Sequence, residues 1–104
     1  MPEGATPPPR LRTRIRSTVG GVMTKEVGAI TGDLDIETTC AGGRIHVRVA
    51  YADAGEWYAP RGSPLRCGTN DLRRLHQQII QRLTTPGPVE HGNECPVDLV
   101  GLRA

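Results

Sequence analysis

Six side chains of this sequence could bind a metal ion or act as nucleophiles. They are the cysteines and histidines Cys40, Cys67, Cys95, His46, His76 and His91. Structural zinc sites usually contain close ligand pairs such as C-x-x-C, whereas the nearest pair here is His91 and Cys95, with three residues between them. No cysteine has the neighbours that are typical of a catalytic thiol. The sequence therefore predicts no metal site, no cofactor and no catalytic residue.

Carboxylates are the next candidates, because two of them at a suitable spacing can act as general acid and general base. Asp35 and Glu37 are two residues apart in a stretch of alternating polar and apolar residues. That alternation is typical of a β-strand, and the next alternating stretch carries Arg44 and Arg48. We therefore interpret the two acids as ion-pair partners of these arginines rather than as a catalytic pair.

Arginine supplies the strongest charge pattern. Arg10, Arg12, Arg14 and Arg16 alternate with uncharged residues, so an extended chain would present all four guanidinium groups on one side. Residues 1–22 contain these four arginines and one acid, whereas the other nine cations are balanced by ten acids. One interpretation is an arm that contacts the phosphates of a nucleic acid. The alternatives are a solvated tail and a strand whose arginines face water.

The hairpin around which the chain is organised spans residues 34–51. Apolar and polar residues alternate on both sides of Gly42-Gly43, a dipeptide that supplies the positive φ angles of a two-residue turn. The pairs predicted from this turn are Leu34 with Tyr51, Ile36 with Val49, Thr38 with Val47, Cys40 with Ile45, and Glu37 with Arg48. A shift of one residue would destroy the apolar and the charged pairs together, so the register is strongly specified.

A third strand is predicted over residues 56–59, before Pro60 stops the hydrogen-bond ladder. Because neighbouring residues of a strand point to opposite faces, Trp57 and Tyr58 cannot both lie in the core. One of them is expected to be exposed near Arg48. Aromatic residues and arginine are enriched where proteins bind one another, so we expect Trp57, Tyr58 and Arg48 to contribute to a protein-binding surface.

One amphipathic helix is predicted from about Asp71 to Leu83. Its apolar residues recur at helical spacing; they are Leu72, Leu75, Ile79, Ile80 and Leu83. Thr69 or Asn70 is expected to cap its start. In the absence of a second strong helical pattern, this apolar face should cover the apolar face of the sheet. The predicted fold class is α+β, an antiparallel three- to five-stranded sheet (a meander) with one amphipathic helix packed on one face.

The length of 104 residues limits the chain to one domain. We divide it into a flexible Pro/Arg-rich N-terminal arm, residues 1–22, and a single small α+β domain, residues 23–104. Met23 is an alternative start. Deletion of residues 1–22 is expected to leave the sheet, the helix and the exposed aromatic residue intact. Because a domain of this size buries only about 60% of its surface and contains no Phe, we expect a homo-oligomer.

Composition also bears on location and source. No apolar run is long enough to span a membrane, and the N-terminus lacks the apolar segment of a signal peptide, so we predict a cytoplasmic protein. Arginine outnumbers lysine 12 to 1, which favours a GC-rich bacterial genome.

These patterns predict a small non-enzymatic bacterial protein that binds a macromolecular partner, another protein, in a regulatory or accessory role. The first alternative is nucleic-acid binding through Arg10, Arg12, Arg14 and Arg16. The second is a small enzyme or ligand-binding domain with a pocket between the helix and the sheet.

Overall fold

The structure is a computed structural model that describes residues 9–66 and 71–103. Its strands are β1 (Arg10–Arg16), β2 (Val22–Thr24), β3 (Gly28–Ile30), β4 (Asp33–Ala41), β5 (Arg44–Tyr51), β6 (Leu65–Arg66), β7 (Val89–Glu90) and β8 (Asn93–Glu94), and its helix is α1 (Leu72–Thr84). The main sheet has four antiparallel strands in the order β1-β4-β5-β6, and two small hairpins, β2-β3 and β7-β8, lie outside it. The predicted α+β class is confirmed.

The central hairpin has the predicted register. Each pair expected from the alternation is present between β4 and β5, from Leu34 opposite Tyr51 to Cys40 opposite Ile45. Gly42 and Gly43 have φ angles of 59° and 73°, the left-handed conformation that a tight two-residue turn requires.

Helix α1 covers the apolar face of the sheet, as the sequence predicts. It packs against β1 and β4, and its residues Leu75, Ile79 and Leu83 are buried in the core. The cap differs from the prediction: the side chain of Asp71 accepts a hydrogen bond from the backbone amide of Arg74 at 3.0 Å, whereas Thr69 and Asn70 lie outside the described residues. Among the described residues, no helix has the length and apolar character needed to cross a bilayer.

The flexible-arm interpretation of residues 1–22 is wrong for residues 10–16. They form β1, which pairs with β4 over its whole length, and Ile15 lies in the hydrophobic core. The physical reason is complementarity: three arginines of β1, Arg12, Arg14 and Arg16, lie opposite the three acids of β4, and Ile15 lies opposite Leu34. Residues 1–8 lie outside the described residues.

The predicted third strand is present only as a single bridge. Val49 and Tyr58 exchange two backbone hydrogen bonds of 2.8 Å. The chain then leaves β5, because the carbonyl of Ala59 accepts a hydrogen bond from the backbone of Lys25, next to β2. The strand that pairs with β5 on this side is β6, whose residues Leu65 and Arg66 lie opposite Ile45 and Arg44.

The C-terminal segment is part of the same body. The carbonyl of Val97 accepts a hydrogen bond from the amide of Met23, and the amide of Leu99 donates to the carbonyl of Arg61, both at 2.8 Å. Leu99 is fully buried. The two ends of the described chain are therefore tied to its middle.

Candidate functional site

The face of the main sheet opposite α1 is dominated by arginine, and we call it the arginine face. Because residues directly opposite each other in an antiparallel sheet share a face, the register defines its members. The uncharged residues Thr39, Ala41 and Ala50 belong to it. Its charged and titratable members are Arg10, Arg12, Arg14, Arg16, Asp33, Asp35, Glu37, Arg44, His46, Arg48 and Arg66. Seven arginines and three acids leave this face positively charged.

A buried carboxylate lies at the centre of the arginine face. Glu37 is 1% exposed, and its two oxygens are bound from the two neighbouring strands, by Nη2 of Arg12 at 2.9 Å and Nη2 of Arg48 at 2.6 Å. Nε of Arg10 is 3.8 Å from the same carboxylate. Burial alone would raise the pKa of Glu37, but the hydrogen bonds from Arg12 and Arg48 outweigh it and hold the pKa below its usual value. The carboxylate is therefore ionised and fixes the arginines around it.

Trp57 lies across the same row of side chains. Its ring centroid is 4.9 Å from Cζ of Arg12 and 4.9 Å from Cζ of Arg48, within the range of a cation–π interaction. Trp57 thus bridges two guanidinium groups that both bind Glu37. The result is a rigid aromatic group, half-buried, on a charged surface.

A groove of about 480 Å³ lies beside Trp57. It is lined by Arg12, Arg14, Asp35, Ala50, Tyr51, Asp53, Gly55 and Trp57. Arg14 binds both Asp35 and Asp53 at 2.8 Å, and its hydrogen bond to Asp35 lowers the pKa of that acid. One wall of the groove is therefore aromatic and contains Trp57. The other is charged, and its ion pairs between Arg14 and the two acids fix the positions of these side chains.

The structure separates the three residues predicted to bind a partner. Trp57 and Arg48 meet on the arginine face, but Tyr58 packs against the hydrophobic core. Its hydroxyl contacts Glu56, and that hydrogen bond raises the pKa of Tyr58. The two aromatic residues therefore point to opposite faces, as the alternation predicts, and Tyr58 does not belong to the arginine face.

The four arginines predicted to contact nucleic acid lie together on β1, and each has a carboxylate within 4 Å. Arg10 and Arg12 approach Glu37, Arg14 binds Asp35 and Asp53, and Arg16 binds Asp33. Arg44 and Arg66, by contrast, lie directly opposite each other and make no ion pair with any described residue. The positive excess of the face is thus concentrated at the end of the sheet near the Gly42-Gly43 turn.

His76 is a buried residue whose role the sequence pattern does not reveal. Its Nε2 is 2.7 Å from the hydroxyl of Thr13 on β1, and its Nδ1 is 2.8 Å from the hydroxyl of Thr38 on β4. A neutral imidazole donates from one nitrogen and accepts at the other, and a hydroxyl can take either role. Burial lowers the pKa of His76. The residue joins α1 to two strands, and the only signal in the sequence is its position four residues after Leu72 on the apolar side of the helix.

Metal-ligating side chains are not clustered in the described part of the chain, where no group of three or more His, Cys, Asp or Glu residues could hold an ion. Burial and then a hydrogen bond to Glu90 raise the pKa of the Cys95 thiol. Cys67 lies outside the described residues.

No family model, no curated protein and no solved structure matches the chain.

Proposed function

We propose that this chain is a non-enzymatic binding module that recognises another protein through its arginine face. The observation that supports the proposal most directly is Trp57, which is held across Arg12 and Arg48, the two arginines that bind the buried carboxylate of Glu37. Tryptophan and arginine are the residues most often responsible for the affinity of protein interfaces. A side chain that is already fixed before binding loses little conformational entropy when the partner arrives.

The charge of the face indicates the chemistry of the partner. Arginines outnumber carboxylates on this surface, and Arg44 and Arg66 carry charges that no described acid neutralises. Complementary charge increases the association rate and excludes wrong partners. The proposed partner is therefore a protein with an acidic surface.

The two alternatives have weaker geometric support. A nucleic-acid duplex would contact the arginines through its phosphates, and its stacked bases would leave Trp57, which lies across Arg12 and Arg48, without a partner. Between the helix and the sheet, the side chains of Leu75, Ile79 and Leu83 pack in the hydrophobic core, which argues against a ligand pocket there. The cytoplasmic location, the bacterial source and the self-association stay predictions.

A display selection with the whole chain as bait tests the proposal. A library of random peptides is selected against the wild-type protein, and the enriched peptides are measured by fluorescence anisotropy on three proteins: wild type, Trp57→Ala and Arg73→Ala. Arg73 is exposed on α1, which packs on the opposite side of the sheet, so it provides the matched control. We expect acidic peptides whose affinity falls about tenfold or more, the effect of an interface hot spot, with Trp57→Ala but not with Arg73→Ala.

Two outcomes would overturn the proposal. One is a set of peptides whose affinity Trp57→Ala leaves unchanged. The other is tighter binding of a 20-base-pair duplex than of any selected peptide at physiological salt, which would assign the arginine face to nucleic acid. In that case affinity would fall steeply as the salt concentration rises, because each phosphate contact releases counterions.

A further inference from the structure

The outer edge of β1 has no partner strand in the part of the chain that the structure describes. Strand β1 ends the main sheet on one side. Among the described residues, no backbone hydrogen bond reaches Arg10–Arg16 from any element other than β4. The strand is seven residues long, whereas β6 at the other end of the sheet has two. A long unpaired edge is a template for another strand.

The hydrogen-bond pattern identifies which residues face outward. The amide of Ser17 donates to the carbonyl of Gly32 at 2.9 Å, and bonded pairs recur at every second residue of an antiparallel ladder. Leu11, Thr13 and Ile15 therefore bond to β4. The outward amides and carbonyls belong to the residues between them, Arg10, Arg12, Arg14 and Arg16.

The other side of β4 gives an independent check. The amide of Ala52 donates to the carbonyl of Asp33 at 2.9 Å, so Asp33, Asp35 and Glu37 bond towards β5. The residues left to bond towards β1 are Leu34, Ile36 and Thr38, which lie opposite Ile15, Thr13 and Leu11. Both sides of β4 thus give the same assignment.

Each outward-bonding residue carries a guanidinium group that is still accessible. The side chains of Arg10, Arg12, Arg14 and Arg16 are 55%, 52%, 53% and 78% exposed, and an arginine has five N–H donors. An added strand would bond to these four backbones. Its side chains opposite them would lie on the arginine face, beside the guanidinium groups.

We infer that β1 binds an extended acidic segment of a protein partner by strand addition, which rests on the proposed function and specifies the partner further. Residues opposite the four arginines would be Asp or Glu, and the residues between them would be apolar. The inner edge of β1 already pairs with such a segment, because Asp33, Asp35 and Glu37 of β4 lie opposite Arg16, Arg14 and Arg12. Leu34 and Ile36 occupy the positions between these acids. Strand β4 is thus an internal example of what the outer edge would accept.

A second copy of β1 does not fit this edge. In an antiparallel pair of two β1 strands, the outward-bonding residues must lie opposite one another. These are all arginines, so every register places like charges in direct contact, which is unfavourable. The arginines therefore disfavour self-pairing at this edge and favour a segment of opposite charge.

Hydrogen exchange with a defined peptide tests the inference. The probe is a fluorescein-labelled peptide with the sequence Asp33–Thr39 (DLDIETT), and the control peptide has the same composition with its acids grouped together. In the free protein, the amides of Leu11, Thr13 and Ile15 should exchange slowly and those of the four arginines rapidly. On binding of the probe, exchange at the arginine amides should slow at least tenfold, while the control peptide should leave it unchanged.

Two substitutions isolate the backbone contribution. Arg12→Ala removes the side chain and keeps the N–H, whereas Arg12→Pro removes both, and the lost N–H is not used within the sheet. Since one hydrogen bond is worth roughly a 2- to 10-fold change in affinity, Arg12→Pro should bind the probe that much more weakly than Arg12→Ala. Circular dichroism of both variants would verify that they are folded.

The possible results separate the inference from the proposed function. If acidic peptides lose affinity with Trp57→Ala but the arginine amides gain no protection, strand addition is refuted and the arginine face is still a protein-binding surface. Equal protection by the probe and by the control peptide would also refute strand addition. If Trp57→Ala affects no acidic ligand, the proposed function fails as well.

Discussion

At the scale of single residues, Glu37 determines the organisation of the arginine face. Arginines from β1 and β5 bind its two oxygens, and Trp57 lies over the guanidinium groups of Arg12 and Arg48. A carboxylate that is 1% exposed is stable only because these partners compensate for its loss of hydration. Removal of the carboxylate should therefore disturb more of the face than removal of any one arginine.

The substitutions Glu37→Gln and Arg48→Ala test this ranking. We expect Glu37→Gln to lower the free energy of unfolding by about 2 kcal/mol, because charge-assisted hydrogen bonds to arginines are lost together. Arg48 is about half exposed, and Arg12 continues to bind Glu37 when Arg48 is absent. Arg48→Ala should therefore cost about 1 kcal/mol. Urea denaturation of both variants measures the difference, and a larger loss for Arg48→Ala would contradict the central role of Glu37.

His76 makes the stability of the protein depend on pH. Burial lowers its pKa in the folded state, so the unfolded chain binds a proton more readily. Stability is complete above the unfolded pKa, about 6.5, and it falls as the pH decreases through that value towards the folded pKa. The decrease should reach at most about 1.4 kcal/mol per pH unit in this range. A second loss belongs below about pH 4, where Asp35 and Glu37, whose pKa values are lowered, become protonated.

The control for His76 is His76→Gln, which keeps a donor and an acceptor for Thr13 and Thr38 but does not titrate. Chemical denaturation between pH 7.5 and 5.5 should show a loss of stability in the wild type and a smaller loss in this variant. Identical pH profiles would show that another group is responsible.

At the scale of elements, the sequence predicts correctly the strand pairing that is set by neighbouring residues, as in the β4–β5 hairpin. The β4–β5 register follows from alternation on both sides of Gly42-Gly43, because only one register satisfies both faces. Strand β1 has the same alternation, but its partner is about 20 residues away and across two turns. Its arginines could be matched to the acids of β4 only by comparing two distant stretches.

The other differences between the predicted and the observed structure also come from contacts between distant parts of the chain. The predicted third strand lost its ladder to long-range hydrogen bonds with the β2 region. At the candidate site, alternation established that Trp57 and Tyr58 face opposite ways. Alternation alone did not predict which of the two lies on the arginine face, because that depends on the conformation of the loop before them. The burial of Glu37 between Arg12 of β1 and Arg48 of β5 has no local signal in the sequence.

Substitutions at Gly20 and Gly42 distinguish two reasons for a glycine: close packing against a neighbouring backbone and a positive φ angle in a turn. A Cβ at Gly20 would lie 2.4 Å from the carbonyl oxygen of Cys95, so Gly20→Ala should force the backbones apart and cost about 1–3 kcal/mol. Gly42 has a φ of +59° and open space around its Cβ position. Because Asn-Gly is a favoured sequence for this turn, Gly42→Asn should change stability by less than about 0.5 kcal/mol. Thermal unfolding compares the two variants, and a larger effect of Gly42→Asn would contradict the contact assigned to Gly20.

At the scale of the whole molecule, residues 10–22 are part of the folded body. Strand β1 supplies Ile15 to the core, Thr13 to His76 and Arg12 to Glu37. The amide of Gly20 donates to the carboxylate of Glu94 at 2.8 Å, which joins the N-terminal segment to the C-terminal one. A chain that begins at Met23 would lack all of these contacts.

Deletion of residues 1–22 should therefore unfold the protein, in contrast to the expectation from sequence that it would leave the sheet and helix intact. Burial of Ile15 alone is worth about 2 kcal/mol, and the deletion also leaves the nearly buried carboxylates of Asp35 and Glu37 without their β1 partners. These losses are large against a total stability of about 5–15 kcal/mol for a typical domain. Deletion of residues 1–8 is the matched control, since it preserves every contact described above. Circular dichroism should show cooperative thermal unfolding for the shorter deletion and none for the longer one. A cooperative transition at the wild-type midpoint after removal of residues 1–22 would show that β1 does not contribute to the fold.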